Sequence, residues 1–159
     1  MTKPYRENVG IVVFNAQGEV LVGERINFPG VFQFPQGGID AGEEPLSAAR
    51  RELFEEIGLK IDSAEPVGSI REWLYYDFPP YIGGNLKKYQ GQKQKWFFFF
   101  WDGDINSLVL DNHEREFSRV AWWQLAAVTP QMVEFKQSVY QQVCREARQV
   151  ISDYLSEKG

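Results

Sequence analysis

The sequence predicts an α/β (α+β) fold, a mixed β-sheet with helices packed on it. Two observations carry this reading. Short apolar, β-branched and aromatic runs alternate with two segments of helical periodicity, in the order strands, helix, strands, helix. The chain also has 159 residues, 43% of them apolar and 15% aromatic, enough for one sizeable core. No repeat, low-complexity tract or linker divides it, so residues 1–159 are expected to form one domain.

The elements follow in chain order. Val9 to Phe14 is an apolar β-branched run, residues 15–19 (NAQGE) are a turn, and Val20 to Val22 resume the pattern, which predicts a hairpin. Residues 26–42, rich in glycine and proline, predict a long structured loop. Pro45 to Ile57 predict a helix: proline suits its first turn, Gly58 suits the position just past its end, and Leu46, Ala49, Leu53 and Ile57 form one apolar stripe. Pro66 to Phe78 and Lys93 to Trp101 predict two strands, the second buried on both faces, joined by a long connection. Arg119 to Trp122 predict a short strand. Gln131 to Leu155 predict a long amphipathic helix with Phe135, Val139, Val143, Ala147 and Val150/Ile151 on one face.

The residue inventory narrows the chemistry. The chain has one cysteine, Cys144, and one histidine, His113. An intrachain disulfide is excluded, and a Cys/His zinc site lacks ligands. Cys144 is expected as inert packing and His113 as a loop residue. Metal chemistry must fall to carboxylates, which suit Mg²⁺, Mn²⁺ or Ca²⁺. The N-terminus, MTKPYREN, lacks the apolar core of a signal peptide, and the run Trp96 to Trp101 is too short to span a bilayer. A cytoplasmic protein without membrane contact is the expectation. The formal net charge of −5 argues against bulk nucleic-acid binding, DNA included, yet allows a local basic groove.

Five of the 22 acids lie between Glu43 and Glu56. On the predicted helix Glu52, Glu55 and Glu56 fall within an arc of roughly 100° beside the apolar stripe. Like charges so close repel, and a bridged divalent cation is a physical reason to keep them. The wider segment is Gly37, five residues, Glu43, seven residues, then Arg51-Glu52-Leu53-Phe54-Glu55-Glu56-Ile57-Gly58-Leu59. This matches GX5EX7REUXEEXGU, with U aliphatic, without departure, and it resembles the Nudix box.

The resemblance implies a mixed sheet sandwiched between helices, and hydrolysis of a diphosphate linked to another moiety with Mg²⁺ or Mn²⁺, two or more ions per site. It implies Glu52, Glu55 and Glu56 as metal ligands, with the carbonyl oxygen of Gly37 as a further ligand. Glu116 resembles a distal metal-binding glutamate. Glu43 and Arg51 resemble the pair that holds loop against helix. Either Glu52 or Glu56 is the catalytic base.

The segments around Tyr5-Arg6, Gln33 to Ile39, Gly91 to Phe97 and Glu134 to Tyr140 are similar to one subfamily. It holds the bacterial RNA pyrophosphohydrolases and the plant-type asymmetric diadenosine tetraphosphate hydrolases. The implied substrate is 5′-triphosphorylated RNA or a dinucleoside polyphosphate, acted on by a monomer. Either needs cations for the phosphates and an aromatic or apolar seat for a base. The resemblance implies Arg6, Arg25 and Gln92 on the phosphate side, and Lys93, Lys95 and Lys136 are the further cations expected there. Val133, Phe135 and Lys136 are implied near the first bases, and Tyr76 or Tyr81 against adenine.

Overall fold

The computed structural model describes residues 2–61 and 65–158. Seven strands form one mixed sheet: β1 (Tyr5–Phe14), β2 (Val20–Arg25), β3 (Phe32–Gln33), β4 (Gln36–Gly38), β5 (Gly68–Asp77), β6 (Gly91–Phe100) and β7 (Phe117–Trp123). Helix α1 (Pro45–Ile57) covers one face and helix α2 (Glu134–Lys158) the other.

β1 organises the sheet because its side chains alternate between two apolar layers. Val9, Ile11 and Val13 pack under α1 with Ala49, Leu53 and Ile57. Val12 and Phe14 pack under α2 with Val139, Tyr140, Val143 and Ala147. β1 runs parallel to β6 along its whole length, from Tyr5 opposite Gly91 to Phe14 opposite Phe100. Its other edge is shared: Phe14 pairs with Val20 of β2, while Asn8, Val9 and Gly10 pair with Gly38, Gly37 and Gln36 of β4. β2 pairs with β7 instead, from Val20 opposite Trp123 to Arg25 opposite Phe117. The sheet therefore splits beside β1, and the split opens the space in which the candidate site lies.

The hairpin, the helix Pro45–Ile57 and the order of elements follow the sequence reading. Gly58 has φ 72°, and its amide and that of Leu59 return to the carbonyls of Phe54 and Leu53. β6 is buried from both sides: Trp96 and Phe98 face the α2 layer, Phe97 and Phe99 the α1 layer.

Most strand ends shift by one to three residues from the reading, and three differences have a clear physical reason. β1 begins at Tyr5 rather than Val9, because polar residues Arg6 and Asn8 pair with polar residues Gln92 and Gln94 and show no apolar signal. The loop 26–42 contains the short strands β3 and β4. The last helix begins at Glu134 rather than Gln131, since Thr129–Gln131 form a separate 3-10 turn and Met132 is extended. His113 sits in an exposed loop and Cys144 is buried. No helix among the described residues is long and apolar enough to cross a membrane.

Gly10 lies against the flat face of the fully buried Trp96 ring, and a Cβ there would sit 2.5 Å from three ring carbons. A ring locked in a close-packed layer cannot move aside cheaply. Gly10→Ala is expected to destabilise the fold by about 1–3 kcal/mol. A denaturant midpoint equal to that of the unaltered protein would contradict this packing.

Candidate active site

The site is built from the loop that carries β4, from α1, and from the open ends of β1, β2 and β6. Arg51, on the second turn of α1, ties the first two together. Its Nε and Nη2 donate to the two carboxylate oxygens of Glu43, both at 2.9 Å, and Nη2 also donates to the carbonyl of Gly38 at 2.8 Å. Its Nη1 donates to Glu52 at 2.9 Å and to Glu55 at 3.2 Å. Glu43 in turn accepts the amide of Asp40 at 3.0 Å. Paired charge-assisted hydrogen bonds of this kind are strong and geometrically specific. They hold the Glu43 carboxyl below the usual carboxylate range. Glu43 and Arg51 thus clamp loop to helix.

The clamp presses Gly37 against the Glu52 carboxylate so closely that a Cβ at residue 37 would overlap it. Glu56 lies beside Glu52, 5% exposed, and its Oε1 is buried with no hydrogen-bond partner. Burial first, then the charges of Glu52 and Glu116, raise the Glu56 carboxyl well above the usual range. Burial likewise raises Glu52, against the opposing pull of Arg51. Among the described residues no three acidic, histidine or cysteine side chains already converge as a metal cluster, since Glu55 is drawn to Arg51. The donor set nevertheless fits a divalent cation: hard oxygen donors, an orphaned buried carboxylate oxygen, and a glycine whose backbone abuts the carboxylates.

Glu52, Glu56 and Glu116 line one end of a cleft of about 670 Å³. Its walls carry Arg6, Arg25, Gln92, Tyr76, Phe135 and Lys136, so the structure gathers these expected substrate residues in one place. Arg6 donates to Gln92 at 2.7 Å, and Gln92 donates to the Tyr76 hydroxyl. The Arg25 guanidinium stacks 4.3 Å from the centre of the half-exposed Phe28 ring. Lys136 is buried over the Tyr76 and Phe135 rings and makes no ion pair with a described residue. Burial, with Arg25 nearby, lowers its ammonium to about 8. The cleft therefore joins an acidic end to a basic, aromatic end.

Other expected residues lie elsewhere. Lys93 and Lys95 alternate with Gln92 and Gln94 along β6, and so occupy the opposite face of the sheet. There they flank the Trp73 ring at 4.8 and 5.0 Å, with Lys93 paired to Glu7 at 3.4 Å and Lys95 bonded to the Arg71 carbonyl. Val133 is exposed on the turn before α2 and Tyr81 is 79% exposed, and neither lines the cleft. Tyr76 is almost fully buried with its hydroxyl bonded, so its ring forms floor rather than a free stacking face. Phe28, Gln33, Gln36 and Tyr89 line the cleft without having been singled out by the sequence. Only the glutamines of the Gln33 to Ile39 segment carried a usable signal.

The NUDIX domain model matches residues 4–143. The chain belongs to the Nudix family. It is 42% identical to the RNA pyrophosphohydrolase of Bartonella bacilliformis over 94% of this chain and 95% of that one. It is 43% identical to the RNA pyrophosphohydrolase of Rhodospirillum rubrum over 90% of this chain and 87% of that one. The fold resembles E. coli dihydroneopterin triphosphate pyrophosphohydrolase, with TM-score 0.66 and 18% identity, covering 91% of this chain and 99% of that one. It also resembles a C. elegans Ap4A hydrolase, with TM-score 0.60 and 19% identity, covering 94% and 98%. The Nudix box of this chain runs from Gly37 in β4 to Leu59, just past the Gly58 cap of α1.

Burial of Glu56 has a pH signature. Its folded carboxyl holds its proton to higher pH than the unfolded chain does, so the unfolded state deprotonates first as pH rises. Its contribution to stability is most favourable below the ordinary carboxylate range and declines as pH climbs above it. In chelator-treated protein, Glu56→Gln is expected to melt higher than the unaltered chain at pH 7, with the gap shrinking towards pH 4. A gap that is absent, or that grows towards pH 4, would contradict the buried, raised carboxyl.

Proposed function

We propose that this Nudix hydrolase is an RNA 5′-pyrophosphohydrolase, converting a 5′-triphosphorylated RNA to 5′-monophosphate RNA and pyrophosphate and so initiating mRNA decay. The observation that carries the reading is the single cleft joining the half-buried Glu52 and the buried Glu56 to Arg6, Arg25 and Lys136. The about 40% identity to RNA pyrophosphohydrolases over most of the chain supports it.

Glu52, Glu55, Glu56 and Glu116, with the Gly37 carbonyl oxygen, would hold two or more Mg²⁺ or Mn²⁺ ions. Such ions, when bound, neutralise phosphate oxygens and lower the pKa of a water. The chain's own residues do the rest. Glu52 or Glu56 accepts the proton of the attacking water. The water adds to phosphorus, the bond to the bridging oxygen breaks, and pyrophosphate leaves. Arg6, Arg25 and Lys136 offset the polyphosphate charge, and Gln92 holds the Arg6 guanidinium in place. Phe135, with Phe28 across the cleft, seats a base. The protein works as a cytoplasmic monomer of one domain.

A dinucleoside polyphosphate offers the same phosphates and a base at each end, and the Trp73 to Pro80 segment, which resembles the plant-type diadenosine tetraphosphate hydrolases, favours it as a second substrate. Cleavage of diadenosine tetraphosphate would release ATP and AMP. Side-by-side kinetics on a 5′-triphosphate RNA and diadenosine tetraphosphate at fixed salt test the order. We expect higher kcat/KM on RNA, and a strong preference for the dinucleotide would reverse the assignment. Glu56→Gln should lose at least about 100-fold in rate. Unchanged turnover would remove Glu56 from the machinery.

Lys136 adds a pH limb. Its ammonium, lowered to about 8, is charged in the free enzyme below that pH and neutral above it. kcat/KM should therefore fall as pH rises through about 8, and Lys136→Arg, which stays charged, should remove the fall. Persistence of the same limb in Lys136→Arg would assign it to another group.

A further inference from the structure

The connection between β5 and β6 encloses a second groove, of about 390 Å³, next to the cleft. Four half-buried side chains, Phe78, Ile82, Leu86 and Tyr89, line both spaces and form the ridge between them. On the outer side the groove is rimmed by Lys3 and Lys87, both exposed. From Phe78 through Trp101 the chain contains no Asp or Glu. The nearest carboxylate, Asp77, is engaged by the Tyr5 hydroxyl at 2.5 Å and by Gln90 at 3.0 Å.

The groove is pinned at several points. The Lys3 ammonium donates to the Lys87 carbonyl at 2.7 Å, the Gln90 amide to Pro4 at 2.8 Å, and the Phe78 amide to Gln90 at 2.9 Å. An apolar, aromatic floor edged by cations and continuous with a phosphate-binding cleft has the chemistry of a single-stranded nucleic-acid track: bases on the floor, phosphates at the rim.

We propose that this groove is a subsite for a downstream nucleotide of the RNA, with its base against Tyr89 and Leu86 and its backbone phosphates beside Lys3 and Lys87. The proposal rests on the RNA reading above. It distinguishes RNA from a dinucleoside polyphosphate, which has no backbone phosphates beyond the cleaved chain.

The test compares 5′-triphosphate oligoribonucleotides of two and six nucleotides sharing their first two bases, with diadenosine tetraphosphate as control, for the unaltered enzyme and Lys3→Glu/Lys87→Glu. For the unaltered enzyme the hexamer should show a KM about tenfold below that of the dimer. The double variant should lose that advantage and lower the salt slope of hexamer kcat/KM by about 1.4, the value for two single-strand phosphate contacts. Its kcat, and its kinetics on the dimer and the dinucleotide, should stay within about twofold. Equal KM for both lengths in the unaltered enzyme, a length effect that survives the double variant, or an equal loss on the dinucleotide would each overturn the subsite. Turnover of the dinucleotide with none of either RNA would overturn the RNA reading itself, and the subsite with it.

Discussion

The guanidinium of Arg51 is the constraint on which the site depends. One planar cation engages Glu43 through both oxygens, the Gly38 carbonyl, Glu52 and Glu55. Without it, the carboxylates of α1 would repel one another unrelieved, and the Glu43 end of the loop would lose its side-chain tie to the helix. A lysine could not replace it, since a single ammonium lacks the fork that spans Glu43 and the carbonyl at once. The clamp does not reach Glu56. Its carboxyl sits behind Glu52, buried, with one oxygen unpartnered. A buried carboxylate in this state costs stability in the metal-free protein, a cost that a bound cation would offset.

The sheet supplies the second half of the arrangement. β1 gives its inner length to β2 and its outer length to β4, so the neighbours of one strand diverge. Along that outer length the side chains of Arg6, Asn8 and Gln92 line the cleft. α1 reaches this point from one layer and α2 from the other, which is why glutamates from one helix and Lys136 from the other meet in one cavity. The net charge of −5 averages these two ends and describes neither.

Much of this was legible in the residues, for local reasons. Helix α1 is bounded as read because Pro45 and Gly58 act on their own backbone, independent of packing. The glutamate spacing needs only a helix to bring Glu52 and Glu56 together. The outer half of β1 was hidden because Arg6 and Asn8 pair through hydrogen bonds and leave no apolar pattern. The start of α2 was blurred because Met132 and Val133 prolong the apolar spacing across a turn. Lys93 and Lys95 were expected with Gln92, yet strand alternation alone separates them: residue 92 faces the cleft, so 93 and 95 face away. Phe28 and Tyr89 could not be found this way, since loops that border a cavity carry no periodicity.

The half-buried Glu52 and the buried Glu56 are held for a divalent cation, and this is the property on which the site's chemistry turns. It is tested most directly by the melting midpoint of the unaltered chain and of Glu52→Gln/Glu56→Gln, each in chelator and in excess Mn²⁺. Mn²⁺ is expected to raise the midpoint of the unaltered chain by several degrees and to leave the double variant unmoved, because only a folded state with both carboxylates gains a ligand set. An equal rise in both proteins, or none in either, would contradict it.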